Sequence, residues 1–186
     1  MGLAAILLAA VLIPAPDDWR KESFQFPLQF APAIPYEGSE HVRFSPGWAR
    51  FEEAAGFSYI FLWDLKAKPA TTEDLEDHLE TYFNGLMGAV GVGRKVEAAP
   101  IPAAVALHPM TAVGGWTRAW GAEVRTWNAF AKGERLLLYG EVAHRECDGE
   151  RMQVFFAFSM AKRDQPVWDQ LRRIRQATEC DKAATR

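Results

Sequence analysis

The segments that decide the fold are WTRAWGAEVRTWN (116–128), RLLLYGEVAHREC (135–147) and RMQVFFAFSMAKR (151–163). Each segment is rich in aliphatic and aromatic residues, a composition that fits the half-buried surface of a sheet. Lys132-Gly133 separates the first two segments, and Asp148-Gly149 separates the second pair. Asp-Gly between two strand-like segments is a strong hairpin signal. The stretch therefore predicts three consecutive antiparallel strands.

A fourth strand is predicted upstream, at FSYIFLWDL (57–65). Alternate residues of a strand point to opposite faces of the sheet. This alternation gives the segment an aromatic face and an aliphatic face: Tyr59, Phe61 and Trp63 on the first, Ile60 and Leu62 on the second. Because neither face is polar, we expect this strand in the middle of the sheet, with both faces covered.

Two other segments have helical periodicity. Apolar residues recur at helical spacing up to Met87, after the N-cap candidates Thr71 and Thr72. Pro166 begins the second helical segment. Strands and helices in this order predict an α+β fold, a mostly antiparallel twisted sheet of about five to seven strands packed with two main helices.

The two faces of FSYIFLWDL need different covers. We expect the first helix to pack on the compact side chains of Ile60 and Leu62. The second helix and an irregular Pro-rich segment would then cover the aromatic face and leave a gap at one end. Tyr59, Phe61 and Trp63 are therefore the candidate ligand-binding residues, with core packing as the alternative. The predicted partner is an apolar or amphipathic small molecule, or an envelope protein.

The N-terminus has the pattern of a leader. The stretch LAAILLAAVLIPAP (3–16) begins with an apolar run from Leu3 to Ile13, which is shorter than the ~20 residues that span a bilayer. It fits a secretory signal peptide cleaved close to Ala15, although no Lys or Arg precedes it, and a buried N-terminal helix is the alternative. We expect a signal peptide-like segment at 1–16 and a single α+β domain at 17–186. The predicted location is the periplasm or the extracellular space, with no transmembrane helix in the mature chain.

The cysteine content agrees with export. Cys147 and Cys180 are the two cysteines of the chain, and an oxidising compartment would let them form a disulfide. The bond would join the end of a predicted strand to the end of the last helix. The alternative is two separate buried thiols.

Composition and motifs argue against several classes of function. A net charge of −3 without a strongly basic segment argues against nucleic-acid binding. GAVGVGRK (88–95) fails the spacing of a phosphate loop, and no GxSxG motif is present. We therefore expect no cofactor, no metal site, and a binding protein rather than an enzyme.

One region holds residue types suited to acid–base chemistry. Glu37, Glu40 and His41 are close together in the Pro-rich segment: Glu37 and Glu40 lie between short strands expected at 23–28 and 41–45, and His41 begins the second strand. A carboxylate beside an imidazole can act as a general acid or base. The alternative function is therefore a hydrolase-like enzyme that uses these three residues, and the less specific interpretation is a solvated loop.

The segment FPLQFAPAIPYEGSEHVRFSPGW (26–48) resembles the pattern FPLxFAPxIPYxGxExxRFxPG of an uncharacterised bacterial exported protein family. With FSYIFLWDL after it, the resemblance covers roughly the first third of the mature chain. It implies export and a bacterial source. It implies no activity and no site residue, because that family has no assigned activity.

Overall fold

The computed structural model describes residues 13–67, 70–148 and 150–180. These residues form seven strands and two helices, in this order: β1 Arg20–Gln25, β2 Gly38–Phe44, β3 Tyr59–Leu65, α1 Thr72–Arg94, β4 Ala104–Met110, β5 Arg118–Trp127, β6 Arg135–Asp148, β7 Arg151–Ser159 and α2 Val167–Ala177. The predicted α+β fold is confirmed.

All seven strands belong to one antiparallel sheet in the order β1-β2-β3-β7-β6-β5-β4. The predicted meander is confirmed as β5-β6-β7, because each of these strands pairs with the next. β3 lies between β2 and β7 in the middle of the sheet, as its two apolar faces predict. β1 and β4 are the two edge strands.

The two helices cover opposite faces of the sheet, and the predicted choice of faces is wrong. α1 packs on the aromatic face, where the ring of Tyr82 stacks on Phe61 with centroids 4.9 Å apart. α2 packs on the other face, where Ile60 and Leu62 share a buried cluster with Trp168. Period-two alternation shows that both faces need cover. Which helix covers which face depends instead on where the connection after β3 crosses the sheet.

α1 begins with a capping box and is longer than predicted. The Thr71 hydroxyl accepts a hydrogen bond from the Asp74 N–H, and the Asp74 carboxylate accepts one from the Thr71 N–H. The helix continues through the glycines of GAVGVGRK and is capped by Lys95 in the left-handed conformation. The additional turns bring Val90 to the aromatic face of the sheet.

Side chains of α1 bind the outer edge of β4. Three backbone N–H groups donate to three side-chain oxygens of the helix: Ala103 to Asn84 Oδ1 at 2.7 Å, Val105 to Glu80 Oε1 at 3.0 Å and Leu107 to Glu76 Oε1 at 2.7 Å. Four residues of helix rise about 6 Å and two residues of strand about 6.6 Å, so the two spacings match. α1 therefore lies along β4 as well as across the sheet.

Cys147 and Cys180 form a disulfide, as predicted, with their Cα atoms 5.6 Å apart. The bond joins β6 to the chain just after α2. The two residues are 33 positions apart in the sequence, a loop for which the chain-entropy model gives about 3–4 kcal/mol of stabilisation.

Most of the predicted signal peptide falls on residues 1–12, which lie outside the described residues. Ile13, at the end of the apolar run, is fully buried in the cluster that also contains Trp19 and side chains of α2. In the part of the chain that the structure describes, no helix is both long and apolar enough to cross a membrane. The single domain at 17–186 and the cleavage close to Ala15 stay predictions.

Candidate functional site

A pocket of about 230 Å³ opens between the aromatic face of the sheet and the C-terminal half of α1. Its walls come from β1, β2, β3 and α1 and from the loops between strands. Eight of its fourteen lining residues are aromatic: Phe24, Phe30, Phe44, Trp48, Phe57, Tyr59, Tyr82 and Phe130. Three are aliphatic (Val42, Leu86 and Val90), and three are charged (Arg20, Glu22 and Glu40). We call this cavity the aromatic pocket.

Strand register places the charged residues on the wall of the pocket. β1 and β2 pair with each other, and three of their cross-strand residue pairs lie on the pocket side: Arg20 with Phe44, Glu22 with Val42, and Phe24 with Glu40. Alternate residues of each strand share a face, so all six side chains line the same cavity. An edge strand of mostly polar residues therefore builds one side of a largely apolar pocket.

Glu40 is fully buried on the inner wall of the aromatic pocket. Its Oε2 accepts a hydrogen bond from Trp63 Nε1 at 2.7 Å, and its Oε1 accepts one from the Tyr82 hydroxyl at 3.3 Å. Burial raises the pKa of the Glu40 carboxyl to about 7, the two hydrogen bonds oppose that rise, and the nearby Glu22 adds to it. Glu40 can therefore be neutral or charged near neutral pH.

The Tyr59 hydroxyl is a second polar group on the inner wall. Its oxygen is buried and has no hydrogen-bond partner among the described residues. Burial, followed by the charge of Glu40, raises the pKa of Tyr59 well above its usual value, so the hydroxyl keeps its proton. A buried hydroxyl without a partner costs about 1–3 kcal/mol. A bound molecule could supply the missing hydrogen bond.

Arg20 lies at the rim of the pocket. Its guanidinium carbon is 4.3 Å from the ring centroid of Phe44 and 5.4 Å from that of Trp48, which are cation–π distances. Its Nε is 3.2 Å from Glu22 Oε1. The rim therefore carries a paired positive charge, held over aromatic rings.

The aromatic candidates have different roles in the structure. Tyr59 lines the pocket. Phe61 is fully buried, with its ring stacked on Tyr82. Trp63 is fully buried as well, and it contributes through its hydrogen bond to Glu40. Of the three predicted ligand-binding residues, Tyr59 alone is among the residues that line the pocket, and Phe61 and Trp63 belong to the core next to it.

The structure does not bring Glu37, Glu40 and His41 together. Glu37 is exposed just before β2, Glu40 faces the aromatic pocket, and His41 faces the other side of the sheet. There the His41 ring is hydrogen-bonded to Ser23 Oγ at 2.8 Å and Ser39 Oγ at 2.9 Å, and burial lowers its pKa. Within residues 13–67, 70–148 and 150–180, no group of three or more His, Cys, Asp or Glu side chains is placed to hold a metal ion.

The sequence contains a pattern that identifies the part of this site on β2, but the strand predicted there is too short to include Glu40. A strand that starts at His41 leaves Glu40 in a loop, whereas β2 starts at Gly38. Period-two alternation from Gly38 places Glu40, Val42 and Phe44 on one face, which is the face of the pocket. The contributions of α1 and of the loops carried no comparable local signal.

The aromatic pocket offers a bound molecule an apolar volume, a carboxyl that can carry a proton or a charge, and a hydroxyl. The two hydrogen-bond donors to Glu40 are an indole and a phenol, which hold the carboxyl in one orientation.

Comparison of the chain with models of known protein families, with curated proteins and with solved structures found no match.

Proposed function

We propose that the protein binds a small apolar or amphipathic molecule in the aromatic pocket. The observation that carries the proposal is the combination of apolar walls with two buried polar groups, Glu40 and Tyr59, in one cavity. Ligand sites have this composition, because apolar walls give affinity and a few polar groups orient the ligand. Typical pockets for drug-sized ligands measure about 300–1,000 Å³. At about 230 Å³ this pocket suits a smaller molecule.

Binding explains features that are unfavourable for stability alone. Protein interiors are close-packed, and atoms that line a cavity lose dispersion contacts. The buried Glu40 carboxyl, whose pKa is raised, further lowers the stability of the folded protein near neutral pH. Costs of this kind concentrate at functional sites, where a ligand supplies the missing interactions. This supports a ligand site over imperfect packing of the core.

The hydrolase-like alternative has less support. It requires Glu40 and His41 within reach of one substrate, and β2 directs these side chains to opposite faces of the sheet. Glu40 instead accepts hydrogen bonds from Trp63 and Tyr82. A carboxyl held in this way is suited to recognising the polar end of a ligand.

The proposed location is the periplasm or the extracellular space. The disulfide between Cys147 and Cys180 supports it, because disulfides persist in oxidising compartments. The leader-like run at 3–16 supports it too. Intact-mass analysis of protein recovered from the periplasm or the medium should find a chain that starts near Pro16 or Asp17. A cytoplasmic product that still carries residues 1–13 would contradict export.

A pair of substitutions on α1 tests the proposed binding site. Val90 lines the pocket, whereas Val92 is 81% exposed two residues further along the helix. Val90→Trp should fill the cavity and abolish binding of phenylethanol, a small neutral probe, measured by ligand-observed NMR. Val92→Trp adds the same ring outside the pocket and should bind the probe as the wild type does. The proposal fails if Val90→Trp binds the probe as well as the wild type does, or if the wild type binds neither this probe nor a charged molecule of the same shape.

A further inference from the structure

The charges that line the aromatic pocket are unbalanced. Glu22 and Glu40 contribute two carboxyl groups, and Arg20 contributes one guanidinium. Arg20 is paired with Glu22 at 3.2 Å. None of the salt bridges within the described residues involves Glu40. An ionised carboxylate on the inner wall therefore lacks a positive partner, which is the kind of group that most needs one when buried.

The walls of the pocket are suited to a positive charge. The face of an aromatic ring is the negative end of its quadrupole, and it attracts a cation within about 6 Å of the ring centroid. The protein already uses this attraction at the rim, where the Arg20 guanidinium lies over Phe44 and Trp48. Phe57, Tyr59 and further rings line the same cavity. The pocket is therefore an aromatic cage with a carboxyl on its inner wall.

We propose that the ligand of the aromatic pocket is an organic cation, a small protonated amine with an apolar body, whose ammonium group pairs with Glu40. This inference rests on the proposed function, because it names the chemical class of ligand for the same pocket. An ammonium group has N–H donors and no acceptor. Glu40 Oε1 and the Tyr59 oxygen are acceptors on the inner wall, and the Tyr59 hydroxyl is buried with no partner in the described part of the chain.

An anionic ligand fits the pocket less well. Its carboxylate would lie against ionised Glu40 if it entered deeply, and like charges at short range repel. At the rim it would have to compete with Glu22 for the Arg20 guanidinium. A cation whose ammonium group reaches the inner wall is not repelled by Glu40 and does not compete with Glu22 for Arg20.

Three probes of similar shape test the charge of the ligand: phenylethylamine, phenylethanol and phenylpropionate. At pH 8 they are a cation, a neutral molecule and an anion, and isothermal titration calorimetry of the full chain measures each affinity. We expect the amine to bind at least about tenfold more tightly than the alcohol, because a hydrogen bond to a charged group is stronger, and the acid to bind most weakly. Equal affinity for amine and alcohol, or tighter binding of the acid, overturns the cation inference and leaves the proposed function standing. If none of the three binds, both proposals fail.

A matched pair of substitutions tests the role of Glu40. Glu40→Gln keeps the size of the side chain and removes its charge, so the affinity for phenylethylamine should fall about 30-fold or more while that for phenylethanol changes less than about threefold. Glu37→Gln makes the same chemical change on an exposed side chain three positions earlier and should alter neither affinity. A folded Glu40→Gln protein that binds the amine as tightly as the wild type overturns the inference.

A pH series on the unmodified protein tests the same pairing without a substitution. The ionisable groups that face Glu40 are Arg20 and Glu22 from β1, Tyr59 from β3 and Tyr82 from α1. Both tyrosines have raised pKa values and stay neutral. Because burial raises the pKa of Glu40 to about 7, amine binding should weaken about tenfold for each pH unit below 7, and alcohol binding should not. A flat amine profile between pH 5 and 8 overturns the pairing with Glu40.

Discussion

Replacing Glu40 with Gln is expected to make the stability of the protein less dependent on pH. Glu40 has a usual pKa of 4.5 in the unfolded chain, and burial raises its pKa in the folded protein to about 7. The folded state therefore binds the proton more tightly than the unfolded state. The stability that Glu40 contributes is fully present below about pH 4.5 and is lost as the pH rises through about 7. The Gln side chain does not titrate, so the free energy of unfolding of Glu40→Gln does not decline in this way as the pH rises.

The two pKa values give the size of the effect. One pKa unit corresponds to about 1.4 kcal/mol. The rise from 4.5 to about 7 therefore corresponds to roughly 3 kcal/mol of stability lost by the wild type between acid pH and pH 8. Relative to the wild type, Glu40→Gln should gain about this amount between pH 4 and 8. Groups that titrate identically in both proteins cancel in the difference.

Urea unfolding at pH 4, 6 and 8, followed by circular dichroism, measures the free energy of unfolding of each protein. Glu37→Gln, which removes a carboxyl from an exposed side chain, controls for the change in net charge. It should show no comparable gain with pH. A difference between Glu40→Gln and the wild type that stays constant from pH 4 to 8 would refute the raised pKa of Glu40, and with it the idea of a buried carboxyl that lacks a counter-charge.

Three further predictions test other parts of the structure. Replacing both Cys147 and Cys180 with Ser should lower the free energy of unfolding by about 3 kcal/mol, because the disulfide constrains the unfolded chain; an unchanged urea midpoint would contradict this. Tyr59→Phe should raise the free energy of unfolding by about 1 kcal/mol, because it removes a buried hydroxyl with no partner in the described residues. A lower melting temperature of Tyr59→Phe would count against that reasoning. Trp63→Ala should cost about 3–5 kcal/mol in urea unfolding, because the Trp63 ring is fully buried; a much smaller cost would show that Trp63 borders open space.

The strands and the disulfide could be predicted because their signals are local or few in number. Asp148-Gly149 and the apolar segments around it predict the hairpin between β6 and β7. The two apolar faces of 57–65 predict a central strand. Two cysteines allow one intramolecular pairing, so predicting the bond between Cys147 and Cys180 required no choice among different pairings.

The candidate site could be predicted only in part, because its residues come from separate elements. Glu40 and Tyr59 lie on different strands, and the register of β2 with β3 places Glu40 opposite Trp63 and Tyr59 opposite Phe44; the two residues share only the wall of the pocket. Tyr82 reaches Glu40 only because α1 packs on the aromatic face, and both helices have an apolar side that could have served there. Periodicity identifies which residues of a helix are buried, but it does not identify the surface that buries them.

The hydrogen bonds between β4 and α1 also keep the sheet from growing at the β4 edge. An edge strand normally offers its outer N–H groups to another chain, which is the usual route to strand exchange and fibre formation. In β4 the outer N–H groups of Val105 and Leu107 are already bound by Glu80 and Glu76, and Pro109 has no N–H to offer. A second molecule would have to displace two carboxylates before adding a strand at this edge. Concentrated protein should therefore resist aggregation through β4 for as long as α1 stays in place.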